Sequence, residues 1–157
     1  MATTGCEKQR MTCLLGMDAL NNILPSFIVL KGKTVPQDLQ GMQGTNLFLS
    51  SNDNAWISEE LFLKWITWIC KPRTHEFKRS LLIMDQFRVH KMTSVLKELE
   101  DCQTDVLFIP AGMTFYLQPC DVYLNKPLKE YVKGAWQAFM LAQKEVVEGN
   151  FILLVFY

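Results

Sequence analysis

Two aspartates, Asp85 and Asp121, are the residues of this chain whose positions best suit chemistry. Asp85 closes a continuous apolar run that begins at Ser80 and predicts a strand, and open α/β sheets bind ligands outside the carboxyl ends of their strands. Asp121 follows the next predicted strand and a loop. Because adjacent parallel strands lie about 4.8 Å apart, both carboxylates are expected at one sheet edge. Paired carboxylates suit Mg²⁺, and two such ions would clamp a phosphodiester during displacement.

The same acids also have a plain structural interpretation. Asp85 then only ends a strand and Asp121 only caps a helix, as acids at such positions commonly do. From spacing alone this structural interpretation is favoured.

The first half of the chain predicts a β-hairpin followed by an amphipathic helix. Apolar runs over 10–16 and 23–30 flank a turn, and Pro25 marks the edge or the beginning of the second strand. Residues 31–44 predict a loop and 46–49 a short strand. Ser58 predicts the N-cap of a helix that ends at Pro72.

The second half predicts alternating strands and helices. Residues 80–85 and 105–110 predict strands buried on both faces, with a short helix over 93–100 between them. A long helix is predicted over 122–147. Its apolar stripe comprises Leu128, Val132, Trp136, Phe139 and Met140. This order predicts an α/β fold with crossover connections.

Composition narrows the function classes. The 157 residues suit one globular domain, with 49% hydrophobic and 20% charged residues. Sixteen basic and sixteen acidic side chains give no net charge, so any DNA contact must come from a local patch or from a longer protein. Five scattered cysteines without a C-x-x-C pair argue against disulfides and zinc. No apolar run approaches the about 20 residues that span a bilayer, and the expectation is an intracellular protein.

Several ordered blocks resemble the DDE superfamily endonucleases of the pogo, Tigger, jerky and centromere protein B kind. Leu81-Leu-Ile-Met-Asp85-Gln-Phe-Arg-Val-His90 is similar to their second-aspartate block, and Leu117-Gln-Pro-Cys-Asp121-Val-Tyr-Leu-Asn-Lys-Pro-Leu-Lys129 to their third. The 35 residues between these aspartates, positions 86 to 120, suit the family. Upstream, residues 24–33 resemble the family's hairpin strand and 56–65 its following helix. Altogether the resemblance spans about residues 9–143.

The resemblance implies an RNase H-like mixed sheet with flanking helices, in which three acids hold two Mg²⁺ or Mn²⁺ ions for DNA strand cleavage and transfer. The family's first aspartate lies on a central first strand, and that strand is expected to be missing here. Neither Glu7 nor Asp18 lies where it could replace that acid. Asp85 and Asp121 therefore form a remnant catalytic and metal site that binds the ion weakly. Val89 and Cys120 depart from the family pattern without removing a chemical group.

Around these acids, the resemblance and the sequence suggest supporting residues. His90 and Gln118 are expected beside the metal ligands rather than as ligands. Lys126, Lys129 and Lys133, near one face of the last helix, and Arg88 are assigned to phosphate contact, against the alternative of a solvated face. A second basic cluster, between the amphipathic helix and the next strand, is interpreted as a solvated loop. It comprises Lys71, Arg73, Lys78 and Arg79.

Domain organisation is predicted as a disordered start over 1–9, a partial DDE domain over 10–147 and an apolar tail outside the family over 148–157. The tail either pairs with an open sheet edge or stays exposed and prone to aggregation, and the exposed alternative is favoured.

The leading functional expectation is a nuclear, transposon-derived domain that binds nucleic acid without independent catalysis. Two alternatives remain open: a Mg²⁺-dependent endonuclease core completed by a longer isoform or a partner chain, and a protein-interaction module.

Overall fold

An antiparallel hairpin begins the fold. The computed structural model describes residues 9–42, 44, 46–74, 79–142 and 152–156. In it, β1 (Gln9–Leu14) pairs antiparallel with β2 (Ser26–Lys31). In the connecting turn, the Asp18 carboxylate accepts hydrogen bonds from the backbone N–H groups of Leu20 and Asn22 at 2.9 Å. Pro25 directly precedes β2, where its missing N–H costs no ladder bond. The predicted hairpin is confirmed.

A parallel strand follows the hairpin. The predicted loop contains one short helix, α1 (Gln37–Gln40), and then β3 (Leu47–Asn52) pairs with β2 in parallel. The predicted short strand is therefore confirmed and is longer at its carboxyl end. Ala55 has a left-handed backbone conformation, with φ of 57°, and turns the chain toward the next helix.

The amphipathic helix begins as predicted but does not end at Pro72. The Ser58 side chain accepts a hydrogen bond from the N–H of the third helical residue, and α2 covers Glu59–Trp65. A π-helical turn (Ile66–Cys70) then continues directly into α3 (Lys71–Thr74). In this wide turn each N–H bonds five residues back. Proline has no N–H to continue this bonding, yet the chain stays helical through Pro72 to Thr74.

The second half alternates strand and helix, as predicted. It comprises β4 (Ser80–Met84), a 3₁₀ turn (Arg88–Lys91), α4 (Thr93–Asp101) and β5 (Thr104–Phe108). The two strands pair in parallel, with Ser80 opposite Thr104 and Met84 opposite Phe108.

The prediction that these two strands are buried on both faces is wrong. Helices cover the face that carries Leu82, Met84, Val106 and Phe108, which belongs to the core or packs against it. On the opposite face the exposed fractions of Leu81, Ile83 and Leu107 are 59%, 44% and 52%. Uninterrupted apolar sequence indicated a strand covered on both sides, yet the described residues cover only one.

The carboxyl-terminal part is helical and ends in a strand. It comprises α5 (Thr114–Leu117), a π-helical turn (Cys120–Leu124), α6 (Asn125–Ala142) and β6 (Ile152–Phe156). The predicted long helix is confirmed to residue 142, and 143–147 lie outside the described residues. Of its predicted apolar stripe, Leu128, Val132 and Trp136 are half-buried, while the side chains of 139 and 140 are not described.

The apolar tail forms a strand beside the hairpin. β6 pairs with β1 in parallel, from Gln9 opposite Ile152 to Cys13 opposite Phe156. The favoured interpretation of an exposed tail is therefore wrong, and the pairing alternative is confirmed for 152–156. Without this neighbour, β1 would present a row of unpaired backbone N–H and C=O groups.

The described strands form two sheets, not the single mixed sheet that was predicted. One has the order β3-β2-β1-β6 and contains parallel and antiparallel pairs, and the other contains β4 and β5. The mixed α/β architecture is confirmed, and it is compatible with an RNase H-like fold.

The core joins both sheets through α2 and α4. Its fully buried side chains are Phe27, Val29, Ile66, Ile69, Val95 and Leu99. Each such side chain contributes about 1.5–3 kcal/mol by leaving water. Within the described ranges, the four cysteines (Cys13, Cys70, Cys102 and Cys120) are free thiols. In those same ranges, each helix is too short or too polar to cross a membrane.

Candidate functional site

Asp85 lies directly after β4, and two donors from the following turn hold its carboxylate. The backbone N–H of Phe87 donates to Asp85 Oδ1 at 3.0 Å. His90 Nδ1 lies 2.8 Å from the same oxygen and 3.2 Å from the Asp85 carbonyl oxygen. Because ionised carboxylate and carbonyl oxygens only accept hydrogen bonds, the imidazole must carry its proton on Nδ1. One carboxylate oxygen is thus engaged, and the contacts described leave Oδ2 available.

Two aromatic rings fix the imidazole that makes this bond. The His90 ring centroid is 4.6 Å from that of Phe62 on α2 and 5.6 Å from that of Phe87. The His90 side chain is only 15% exposed, and Phe62 is 3% exposed. The amphipathic helix therefore packs against the residue that contacts the aspartate.

These contacts also determine the charge of Asp85. The hydrogen bond from His90 lowers the pKa of Asp85 below its ordinary value, the Phe87 N–H lowers it further, and partial burial opposes both effects. The carboxylate is consequently ionised at neutral pH, which is the state a cation requires.

Asp121 lies in the π-helical turn before α6. The side-chain amide of Asn125, one turn later, donates to Asp121 Oδ1. Asn125 is only 5% exposed. Cys120 contacts the Leu15 carbonyl oxygen through its sulfur at 3.6 Å, which joins this turn to the residue after β1. Here burial, followed by the nearby Asp121 charge, raises the pKa of the Cys120 thiol.

Two buried amide oxygens near Asp121 in sequence have no hydrogen-bond partner. They are Gln118 Oε1 and Asn125 Oδ1. An unpaired buried acceptor typically costs about 1–3 kcal/mol, so each of these oxygens remains able to accept a hydrogen bond. Gln118 was predicted from the sequence to lie beside the metal ligands, whereas Asn125 was not predicted. Its position four residues after Asp121 in a predicted helix was the available signal.

Members of the DDE superfamily generally use divalent metal ions, and the donors at Asp85 and Asp121 are of the right kind. Carboxylate and amide oxygens are hard ligands that suit Mg²⁺ or Mn²⁺. Among the described residues, however, no group of three His, Cys, Asp or Glu side chains is placed to hold an ion. The residues fit two partial sites, and convergence of Asp85 with Asp121 stays a prediction.

The basic residues assigned to phosphate contact are all exposed. Lys126, Lys129 and Lys133 lie on α6, and Arg88 begins the 3₁₀ turn after Asp85. Two residues of the other basic cluster form ion pairs with acidic side chains. Arg79 makes two bonds to the Asp105 carboxylate at 2.6 and 2.7 Å, and Lys71 lies 3.5 Å from Glu98. The interpretation of that cluster as a loop is wrong for Lys71 and Arg73, which lie in α3; Arg79 directly precedes β4, and Lys78 lies outside the described residues.

Comparison with known proteins places this arrangement in a family. Residues 8–153 match the family described as DDE superfamily endonuclease. The chain belongs to this DDE family. The matched range includes both aspartate blocks and ends within β6.

The relatives of this DDE domain are pogo-like. It is 33% identical over 142 residues to a mouse protein named pogo transposable element with KRAB domain, and 32% identical to the human protein of that name. Each alignment covers 89% of the chain and 23% of the relative. A human pogo transposable element with ZNF domain is 22% identical over 87% of the chain and 10% of its own length. No solved structure matches significantly.

These relatives support the predicted pogo-like DDE domain. The chain spans about a quarter of the length of the KRAB-containing relatives (23%). Activities and partners of such longer proteins therefore reach this chain only as proposals.

Proposed function

We propose that this chain is a transposase-derived domain that binds nucleic acid in the nucleus and does not cleave DNA by itself. Family membership supplies the first part, since a transposase-like nuclease interacts with DNA. The nuclear location rests on the pogo-like relatives. The two preserved aspartates would then serve as a partial ion site and not as a complete catalytic centre.

The observation that carries the loss of catalysis is the identity of the strand beside β1. The family resemblance expects an aspartate-bearing first strand next to this hairpin. In this chain β6 lies there, and its five residues, Ile152 to Phe156, include no acid. A strand of this composition fills the edge without offering a ligand to a cation. We therefore propose that β6 completes the sheet but does not complete the set of three acids.

Nucleic-acid binding is proposed through four exposed basic side chains, those of Lys126, Lys129, Lys133 and Arg88. Each phosphate contact releases counterions, so affinity falls as salt rises. Because the chain has no net charge, this local patch must supply the attraction.

The binding test compares the wild type with Lys126→Ala/Lys133→Ala on a labelled DNA duplex over a salt series. Each lost phosphate contact is expected to reduce the slope of log affinity against log salt by about one. Lys97→Ala is the matched control, because Lys97 is an exposed lysine on α4. Wild-type binding that ignores salt, or an equal loss in the Lys97 variant, would contradict the assignment.

Cleavage is tested separately with supercoiled plasmid and Mg²⁺ or Mn²⁺. The proposal expects no nicking by the folded protein. Metal-dependent nicking that Asp85→Ala abolishes would instead establish the alternative of an endonuclease, and nicking restored by a longer isoform would show how the site is completed.

A protein-interaction module is the second candidate, and the exposed apolar side chains Leu81, Ile83 and Leu107 favour it. Contiguous exposed apolar surface on a folded domain often marks an interaction site. Absence of DNA binding at every salt concentration, together with retention of nuclear proteins in a pull-down that Leu107→Glu abolishes, would favour this candidate over the first.

A further inference from the structure

We propose that His90 is a positioning residue that holds the Asp85 carboxylate so that Oδ2 is the oxygen presented to a divalent cation. The inference deepens the proposed function, since it rests on Asp85 as a surviving metal ligand. It concerns how this chain prepares the ligand.

The first support is the distribution of hydrogen bonds around the carboxylate. Asp85 Oδ1 accepts from the Phe87 N–H at 3.0 Å and from His90 Nδ1 at 2.8 Å. An oxygen with two donors has little capacity for a cation as well, and a carboxylate held at one oxygen cannot rotate freely. Binding through the other oxygen alone is then the arrangement the contacts favour.

The second support is that the imidazole itself is held on several sides. Its Nδ1 also reaches the Asp85 carbonyl oxygen at 3.2 Å, so one N–H spans the backbone and the side chain of the same residue. Phe62 and Phe87 contact the ring with centroid separations of 4.6 and 5.6 Å. A buried, doubly packed ring loses little further freedom when an ion binds, which is what preorganisation requires.

Ligation of a cation through Nδ1 of His90 is excluded by this geometry. Nδ1 carries its proton toward Asp85, so that nitrogen has no lone pair for a metal. A metal-bound or metal-supporting imidazole typically donates its other N–H to a carboxylate or a carbonyl. Here the carboxylate that receives the bond is itself the expected ligand, so the imidazole acts through it.

The experiment uses two substitutions that separate the two ring nitrogens. In His90→Asn the amide nitrogen lies about where Nδ1 stood, whereas in His90→Gln it lies about where Nε2 stood. Both variants lose the ring contacts with Phe62, so both lose a similar amount of packing. Mn²⁺ affinity of the full chain is measured by electron paramagnetic resonance, alongside thermal unfolding, with Asp85→Asn as the control that removes the ligand charge.

The expected result is a split between affinity and stability. His90→Gln lowers Mn²⁺ affinity about 10-fold or more, in the range known for residues that support metal ligands, and His90→Asn lowers it less. Their melting temperatures fall together. Imidazole nitrogen shifts in the metal-free wild type should also show the Nδ1–H tautomer, and Asp85→Ala should abolish that preference.

Three outcomes would overturn the inference. One is equal loss of Mn²⁺ affinity in both His90 variants that follows their loss of stability. Another is a wild-type protein that binds no Mn²⁺, or that binds it with an affinity that Asp85→Asn leaves unchanged. A third is an Nε2–H tautomer in the wild type. DNA binding of the same variants in EDTA is measured separately, so failure of the nucleic-acid proposal is distinguishable from failure of this one.

Discussion

Substitution of Thr12 by Val tests how the hairpin is joined to the helix that supports the site. Thr12 lies in β1, is fully buried, and donates from Oγ1 to the Ala55 carbonyl oxygen at 2.6 Å. Ala55 is also fully buried and turns the chain into α2. Valine has nearly the same shape and favours strands, so the substitution removes the donor with little change in packing.

The expected cost follows from the burial of both partners. The Ala55 carbonyl would lose this side-chain donor in a place that water does not reach, and such a group costs about 1–3 kcal/mol. For a chain of this length, that loss corresponds to a fall in melting temperature of about 3–9 °C. The assay is urea unfolding followed by far-ultraviolet circular dichroism, with thermal unfolding as a second measurement.

A matched control exists on the surface. Thr67 donates to the Leu63 carbonyl oxygen at 3.0 Å, but this bond is exposed, so water replaces the lost donor in Thr67→Val. That variant is expected to change stability by less than about 0.5 kcal/mol. If Thr12→Val were as stable as the wild type, or if Thr67→Val cost as much, the reasoning from burial would be refuted.

Three further predictions concern the tail, the aspartate and a thiol. Deletion of 150–157 removes β6 and should lower the melting temperature and promote aggregation; unchanged melting with better solubility would contradict the pairing. The pKa of Asp85 is lowered, so its stabilising contribution is present above about pH 3.9 and is lost as pH falls through the lower folded value. Asp85→Asn should therefore reduce the change with pH of the free energy of unfolding, measured in urea, over this acidic range. An unchanged slope of that free energy against pH would refute the prediction. Burial raises the pKa of Cys13 to about 11, so iodoacetamide should label it about 300-fold more slowly in folded than in unfolded protein at pH 7.5; equal rates by mass spectrometry would contradict its burial.

The sequence predicted the elements well because their signals are local. The Ser58 cap, the turn around Asp18 and the strand before Asp85 each depend on a few neighbouring residues, and the structure contains all three. The prediction that the amphipathic helix ends at Pro72 was wrong for an equally local reason. A π-helical turn admits Pro72, and such a turn has no simple sequence pattern.

What the sequence did not predict depends on contacts between distant residues. The exposure of Leu81 and Leu107 depends on which helices cover the second sheet, and apolar sequence alone cannot tell a covered face from an open one. At the site, the spacing of Asp85 and His90 suggested a supporting role. The participation of Phe62 came only from the packing of α2 against the turn. Asn125 was missed because a polar residue within a helix is usually solvated.

The pairing of β1 with β6 has a consequence for how this protein is made. The paired residues Gln9 and Ile152 are on the order of 140 positions apart, and contacts of such sequence separation form slowly. At ribosomal rates of about 5–20 residues per second, β1 waits several seconds or more before β6 has been synthesised. During that interval its edge is open to other nascent chains. Closure of this sheet edge is therefore expected only after the carboxyl-terminal strand has been synthesised.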